Sequence, residues 1–276
     1  MNKILKIILL SLIIMTSQNS SAQIYVGASA SPFSFIDNAS NSVSGKQNNF
    51  SIKSGYVYMF SKNFGVGSGL EFSQYSQNIN VLGNVNSSSN LIDDTNSAFE
   101  YRTSAEGYSE KQKLSALQIP LFLQFKTLIN TNTNFYTRIG AKYMLPISFE
   151  AKGKSSKITA EGYYPDFNLL ISDLPSRGFG STQNYNGTSE YETENIILGS
   201  VEVGFSFKIA KKGALYTGFY LDHAMNSLIE TDQSKSIVGY NPTNTANRAL
   251  NGFYTTNVNT KVLPISFGLT VMYSFE

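Results

Sequence analysis

The sequence predicts an all-β protein, an eight-stranded antiparallel up-and-down transmembrane β-barrel with short periplasmic turns and long extracellular loops. Three observations lead to this fold class. Apolar residues alternate with small or polar ones in eight segments, these segments are long, and the links between them are short and long in turn. Because successive side chains of a strand point to opposite faces, such alternation describes strands with one apolar face.

The chain starts with a stretch that is typical of a secretory signal peptide. Two lysines precede the apolar run 7–15, and the small Ala22 suits cleavage directly after it. The run is shorter than the roughly 20 apolar residues that cross a bilayer as a helix, and no later run is longer. We therefore expect residues 1–22 to be removed, 23–276 to form one barrel domain, and no membrane-spanning helix.

The strands themselves are long. The predicted spans are 24–35, 49–60, 64–78, 112–126, 134–148, 194–209, 214–228 and 261–275. A strand of a globular protein usually has about 5–6 residues, whereas a tilted membrane-crossing strand needs about 9–11. Strand length therefore favours a membrane barrel over a soluble sandwich.

The links between the strands give an independent indication. The predicted long links are 36–48, 79–111, 149–193 and 229–260, and the short ones are 61–63, 127–133 and 210–213. Strict alternation collects all short turns at one rim and all long loops at the other, as in bacterial outer-membrane barrels. The long links are rich in Ser, Asn and Thr, as is typical of solvated loops. Either 79–111 or 149–193 could hide a hairpin, so ten strands remain an alternative, although such a hairpin would rather extend beyond the membrane.

Composition excludes several classes of protein. Only 14% of the residues are charged, with 21 basic and 19 acidic side chains, so a basic nucleic-acid-binding face is not expected. With no Cys and one His, the chain lacks the ligands of zinc and iron–sulfur sites. The sequence thus predicts no cofactor, no metal and no nucleic-acid partner.

The inward and outward faces of the predicted barrel carry different candidate residues. The expected lumenal polar and charged network consists of Lys53, Glu71, Gln118, Gln124, Arg138, Lys142, Glu202, Tyr216, Tyr220 and Asp222. The chain has no Trp, so the expected interfacial girdle consists of Tyr56, Tyr58, Phe60, Phe64, Tyr143, Tyr273 and Phe275. Since side chains nearly fill an eight-stranded barrel, a packed, salt-bridged lumen is favoured over a polar conduit.

One hairpin allows a prediction of register. If Phe60 and Phe64 face each other across the turn 61–63, the numbers of opposed residues sum to 124, and Lys53 lies opposite Glu71. Their β-carbons would then be about 4.5–5.5 Å apart. Each could instead pair elsewhere in the lumen, for instance Glu71 with Arg138 or Lys142.

Catalytic and metal-binding patterns are weak in this chain. Asp222 and His223 are adjacent, so a regular strand directs them to opposite faces, and no serine is obviously paired with the histidine. Two sets of carboxylates match no calcium loop and are interpreted as solvated acids; they are the pair 93–94 and the series Glu190, Glu192 and Glu194. The sequence therefore predicts a protein that is not an enzyme.

The segment LQIPLFLQFK at 117–126 resembles strands of the outer-membrane β-barrel domain family of Bacteroidetes, which includes PorT-like proteins and OmpA-like small barrels. FGVGSGLEFS at 64–73 and GLTVMYSFE at 268–276 are similar to that family as well. The resemblance implies a monomeric or partner-associated barrel in the outer membrane and no particular reaction.

Three functions follow as alternatives. The first is a non-enzymatic outer-membrane barrel that stabilises the envelope or binds partners through its long loops; assistance to protein secretion, as the PorT-like resemblance implies, is one version of it. The second is a small pore or solute channel, and the third is a membrane-embedded enzyme. In the first, the partners are outer-membrane lipid and other envelope or secretion proteins, and the chain is expected to be a monomer.

Overall fold

The computed structural model describes residues 22–35, 42–210, 213–230, 234–245, 247–256 and 261–275. Residues 1–21, most of the predicted signal peptide, lie outside the described residues. The strands are β1 (Ala22–Phe35), β2 (Ser42–Met59), β3 (Phe64–Val81), β4 (Val85–Ile92), β5 (Ala98–Glu106), β6 (Ser109–Asn130), β7 (Thr133–Tyr164), β8 (Leu169–Ile171), β9 (Gly180–Glu190), β10 (Ile196–Ala210), β11 (Gly213–Ala224) and β12 (Ile265–Phe275). Short 3-10 helices lie at Pro165–Phe167, Pro175–Arg177 and Phe253–Thr255.

Eight of these strands close an antiparallel barrel. Neighbours around the wall follow the order β1, β2, β3, β6, β7, β10, β11 and β12, and β12 pairs back with β1. The predicted eight-stranded up-and-down barrel is therefore confirmed. None of the helices in the described part of the chain is long and apolar enough to cross a bilayer.

The barrel wall has an apolar outer face. Every wall strand exposes large apolar side chains there, among them Ile24, Ile52, Phe72, Leu121, Ile139, Val201, Phe219 and Leu269. Their sequence neighbours point inward and are buried, for example Ser51, Phe122 and Thr270. An exposed apolar belt around a closed barrel requires a lipid environment, because contact between so much apolar surface and water is unfavourable.

The links between wall strands follow the predicted alternation with one correction. Residues 60–63 and 131–132 are the short turns of the described chain, and 211–212 of the third turn lie outside it. The prediction of a long link over 36–48 is wrong, because β2 begins at Ser42 and pairs with β3 from there on. Residues 36–41 lie outside the described residues.

Strand β7 is twice as long as predicted. It was expected at 134–148 and extends to Tyr164. A β-bulge at Ile147 explains the difference, since Ser115 of β6 lies opposite Ser148 while Ala116 lies opposite Pro146. The extra residue reverses the phase of the in–out alternation, so the pattern in the sequence breaks although the strand continues.

The two longest predicted loops, 79–111 and 149–193, contain ordered strands. The hairpin β4–β5 pairs with the outer part of β7, and β8 and β9 pair with the other edge of β7. These strands stay outside the closed barrel and lengthen its wall on one side. We call residues 85–106 and 148–190, which include these strands and the links between them, the extension.

The last long link was expected to be a solvated loop, and this is wrong for much of it. Residues 225–264, here called the mouth segment where described, fold into the long-loop end of the barrel. Their buried side chains are Leu228, Ile229, Ile237, Val238, Leu250, Phe253, Tyr254 and Val262, which join the largest apolar cluster of the molecule. The Asn- and Thr-rich stretch 241–245 remains mostly exposed, as its composition predicts.

Candidate functional site: the barrel lumen and its mouth

The charged side chains of the lumen form a balanced network. Lys142 Nζ lies 2.9 Å from Glu71 Oε2 and 2.8 Å from Asp222 Oδ2, and Lys53 Nζ lies 2.9 Å from Glu202 Oε2. With Arg138, three cations face three carboxylates, and all six side chains are buried or nearly so. Each charge therefore has an opposite charge in contact, which a buried ionised group requires.

The predicted register of the β2–β3 hairpin is confirmed, and Glu71 forms its ion pair with Lys142, one of the alternatives to Lys53. Lys53 lies directly opposite Glu71 on β2 and β3. Across the lumen, however, Glu71 contacts Lys142 of β7 and Lys53 contacts Glu202 of β10. A closed barrel brings distant strands face to face, so ion pairs form across its interior rather than along one hairpin.

Arg138 lies against two aromatic rings that are not among the predicted lumenal residues. Its guanidinium carbon lies 4.8 Å from the ring centroids of both Tyr25 and Phe122. Its Nε donates to Gln124 at 2.8 Å and its Nη1 lies 3.4 Å from a Glu202 carboxylate oxygen. Both rings share the inward phase of the charged residues, a signal that could have identified them.

The remaining predicted lumenal residues are also buried against one another. Gln118 donates to the hydroxyl of Tyr75 at 3.0 Å, and Tyr216 packs edge-on against Tyr136. The Tyr220 ring lies 5.8 Å from the ammonium of Lys142. The lumen holds a cavity of about 30 Å³ between the ion pairs, roughly the space of one water molecule.

The aromatic residues of the predicted girdle all lie on the outer face, but they are distributed unevenly between the two ends of the barrel. Tyr56, Tyr58, Phe60, Phe64, Tyr273 and Phe275 lie towards the short-turn end, and Tyr143 lies towards the opposite end, opposite Ile197 at the start of β10. The side chains of Phe60, Phe64 and Phe275 are each at least half exposed. These seven residues thus mark mainly one edge of the apolar belt.

A buried carboxylate ties the mouth segment to the wall. Glu110 of β6 accepts hydrogen bonds from the hydroxyls of Tyr108 and Tyr191, the latter at 2.6 Å, and from the backbone N–H of Phe253 at 2.9 Å. Gln112 donates to the same group at 2.6 Å. Burial and the nearby carboxylate hold the pKa of Tyr108 and Tyr191 well above the usual range, so both remain donors at neutral pH.

A buried arginine ties the mouth segment to the extension in the same way. The guanidinium of Arg248 donates to the carbonyls of Gly178 and Gly180 and to the hydroxyl of Thr182 at 3.0–3.2 Å. The carbonyl of Arg248 accepts a hydrogen bond from Tyr185 at 2.8 Å. Sequence reasoning missed both Glu110 and Arg248, because a lone charge in a long link resembles a solvated one.

Two of the acids considered for metal binding have structural partners. Asp93 accepts hydrogen bonds from Thr95 and from the backbone N–H of Ser97 at 2.9 Å, closing the β4–β5 turn. These bonds, led by the one from Ser97, lower the pKa of its carboxyl. Asp94 forms an ion pair with Arg177. The series 190–194 carries exposed carboxylates, and no group of three metal-ligating side chains occurs within the described residues.

The adjacent Asp222 and His223 lie on opposite faces of β11. Asp222 is buried in contact with Lys142, while His223 is exposed on the outer face. The two side chains therefore do not share a lumenal site.

A closed barrel with an apolar belt, short turns at one rim and long connections at the other is the architecture of a bacterial outer-membrane protein. The family model described as outer membrane protein beta-barrel domain matches residues 16–230, well over half of the chain, so the chain belongs to this family. The protein is located in the bacterial outer membrane, with its short turns in the periplasm and its long connections outside.

Comparison with solved structures gives distant likenesses among outer-membrane proteins. OprG from Pseudomonas aeruginosa is 13% identical, with a TM-score of 0.41, over 93% of this chain and 97% of OprG. Ail of Yersinia pestis is 13% identical, with a TM-score of 0.31, over 94% of this chain and all of that chain. The search of curated proteins found no match.

Proposed function

We propose that the chain is a non-enzymatic outer-membrane barrel whose lumen is a structural core and whose extension contacts another molecule outside the cell. The filled lumen supports the first part of the proposal. The cavity between its ion pairs, about 30 Å³, is too small for a solute, and its charges are engaged with one another. A role as a pore would require this network to open.

The extension supports the second part. Its strands pair with β7 and the buried Arg248 ties it to the mouth segment, so it is a folded structure rather than a set of loose loops. Its outermost part nevertheless exposes large apolar side chains, namely Phe167, Leu169, Leu170 and Leu174. Apolar side chains grouped in the aqueous phase, away from the lipid-facing belt, are typical of an interaction surface. This exposed apolar tip is the observation that carries the proposal.

Planar-bilayer conductance tests the lumen. The refolded protein should show no steady, solute-sized conductance, because the ion pairs and rings close the barrel interior itself. Removal of the mouth segment should leave the barrel closed as well. A steady conductance in the intact protein would contradict the structural-core interpretation and favour the channel.

Site-specific cross-linking tests the tip. The chain contains no Cys, so Leu170→Cys introduces a unique thiol. On intact cells, a thiol cross-linker should trap a partner at this position, and Phe167→Ser in the same chain should abolish the adduct. Asn244→Cys, in the exposed polar stretch of the mouth segment, is the matched control and should give no adduct. Equal adducts at both positions would contradict a specific tip surface.

A finer version of the proposal follows from the PorT-like resemblance. In that version the chain belongs to a Bacteroidetes envelope, loses residues 1–22 on export, acts as a monomer and assists protein secretion. The Phe167→Ser variant should then reduce the amount of secreted protein while the barrel itself accumulates normally. Unchanged secretion in the Phe167→Ser variant would show that the tip does not assist protein secretion.

A further inference from the structure

The outer face of β6 and β7 changes from apolar to mainly basic above the belt. On β6 the outward residues from Leu123 up to Leu117 are apolar, and on β7 the apolar series ends at Ile147. The next outward positions include Ser115 on β6 and Glu150 on β7, and the positions beyond these carry exposed lysines. These are Lys111 and Lys113 on β6 and Lys152 and Lys154 on β7, here called the lysine patch.

The register places these like charges side by side. Lys111 lies directly opposite Lys152, and Lys154 lies opposite Ser109, one outward position further along. Opposed residues have β-carbons about 4.5–5.5 Å apart, and like charges directly opposite each other destabilise a sheet. Within the described residues, none of the four lysines forms an ion pair.

Neighbouring groups do not cancel the charge. Glu150 lies opposite Lys113, but Glu150 also lies opposite Glu190 on β9, and neither acid forms an ion pair with a lysine of the described part of the chain. The other outward neighbours are uncharged; they are Ser76 and Asn78 on β3 and Asn186 and Thr188 on β9. Four cations and two anions leave a basic surface edged by hydroxyl and amide groups.

We propose that the lysine patch binds the phosphate groups of outer-leaflet lipid headgroups. The patch follows the apolar belt along the same two strands, which sets it at headgroup level on the extracellular side. A phosphate between Lys111 and Lys152 would turn a repulsive pair into two charge-assisted contacts. The long aliphatic stems of lysine suit this position, because they can lie along the wall while the ammonium reaches the polar layer.

Titration with a short-chain lipid tests the proposal. Dioctanoyl phosphatidic acid is added to the folded protein in a neutral detergent, and native mass spectrometry measures the dissociation constant at low salt. Since each lysine near an anionic surface contributes about fivefold in affinity, K111Q/K152Q should weaken binding by about 25-fold. The matched double variant K235Q/K261Q removes two exposed lysines outside the patch and should change binding less than about twofold.

Further measurements keep the result interpretable. Heat-dependent gel mobility shows that each variant is folded. In detergent alone, K111Q/K152Q should melt at the wild-type temperature or above it, because repulsion is relieved; a clearly lower melting temperature would contradict the proposal. If K111Q/K152Q bound the lipid with wild-type affinity, the proposal would be overturned. Displacement of the lipid by equal concentrations of inorganic phosphate would also overturn it, since it would reveal a free-phosphate site.

Discussion

Single residues decide how the lumen is filled. Lys142 contacts carboxylates from β3 and β11 at once, so it links opposite sides of the barrel. Glycines make room for the rings that complete the packing: a β-carbon at Gly67 would lie within 2.6 Å of the Phe122 ring. Any larger residue there would push the ring into the ion network, so this glycine is required by close approach rather than by a turn.

The shared role of Lys142 leads to an unequal pair of mutant effects. Lys142→Ala leaves Glu71 and Asp222 buried without their cation and should lower the free energy of unfolding by about 3–5 kcal/mol. Glu71→Ala should cost less, because Lys142 keeps Asp222 and Lys53 keeps Glu202. Urea unfolding of the refolded protein in lipid vesicles measures both. A loss for Glu71→Ala as large as that for Lys142→Ala would contradict the shared-cation arrangement.

At the level of the strands, the two faces of β12 contact different surroundings. Leu269 is 56% exposed on the outer face, and Ser266 is buried on the inner face. The alternation along this strand is the clearest in the sequence, because lipid contacts one face and packed side chains the other. A bulge such as the one at Ile147 shifts the in–out alternation by one residue. Side chains on the two sides of the bulge still alternate between the faces, but the continuous pattern in the sequence is broken.

The lipid face of β12 gives a direct test. Leu269→Arg should destabilise the barrel by about 2–4 kcal/mol if the residue lies near the midplane of the membrane. Asn244→Arg, in an exposed stretch, should change stability by less than about 0.5 kcal/mol. Ser266→Arg should also destabilise, but through crowding of the lumen. Equal tolerance of Arg at Leu269 and Asn244, again by urea unfolding in vesicles, would show that β12 does not face lipid.

The whole molecule has two parts with different surroundings. The barrel is apolar outside and encloses charged, polar and aromatic side chains, whereas the extension and mouth segment enclose an ordinary apolar core that includes Phe149 and Tyr254. Few contacts of this outer core are local in sequence. Glu110 and Arg248 connect segments more than sixty residues apart.

Limited proteolysis of intact cells checks the orientation. Arg177 lies in a 3-10 helix of the extension with its side chain nearly half exposed, so trypsin should cut after it. Lys62, in a short turn, should be cut only after the outer membrane is opened. Cleavage at Lys62 and not at Arg177 in intact cells would show that the barrel has the opposite orientation in the membrane.

The contacts of Glu110 predict how the mouth segment opens. Glu110→Ala leaves the buried Tyr191 hydroxyl and the Phe253 N–H without an acceptor, at about 1–3 kcal/mol for each group. Tryptic cleavage after Arg248, which is 4% exposed in the intact protein, should therefore become faster. The control Glu106→Ala removes an exposed acid near the same rim and should leave the rate unchanged. Equal rates in the two variants would show that Glu110 does not hold the mouth segment.

By itself, the sequence determined the all-β class, the eight wall strands and their inward and outward faces. It also determined which rim carries the short turns, and the register of the β2–β3 hairpin. Each of these follows from alternation with period two or from the length of a turn, and both are local properties of the chain. The tertiary structure decided which cation meets which carboxylate, that Lys142 is shared, that β7 continues past its bulge and that 225–264 fills the mouth. These features depend on barrel closure, which places Glu71 and Asp222 beside one lysine although neither lies near it in sequence. The energy of a buried polar group depends on the partners that closure provides, and alternation along one strand contains no information about them.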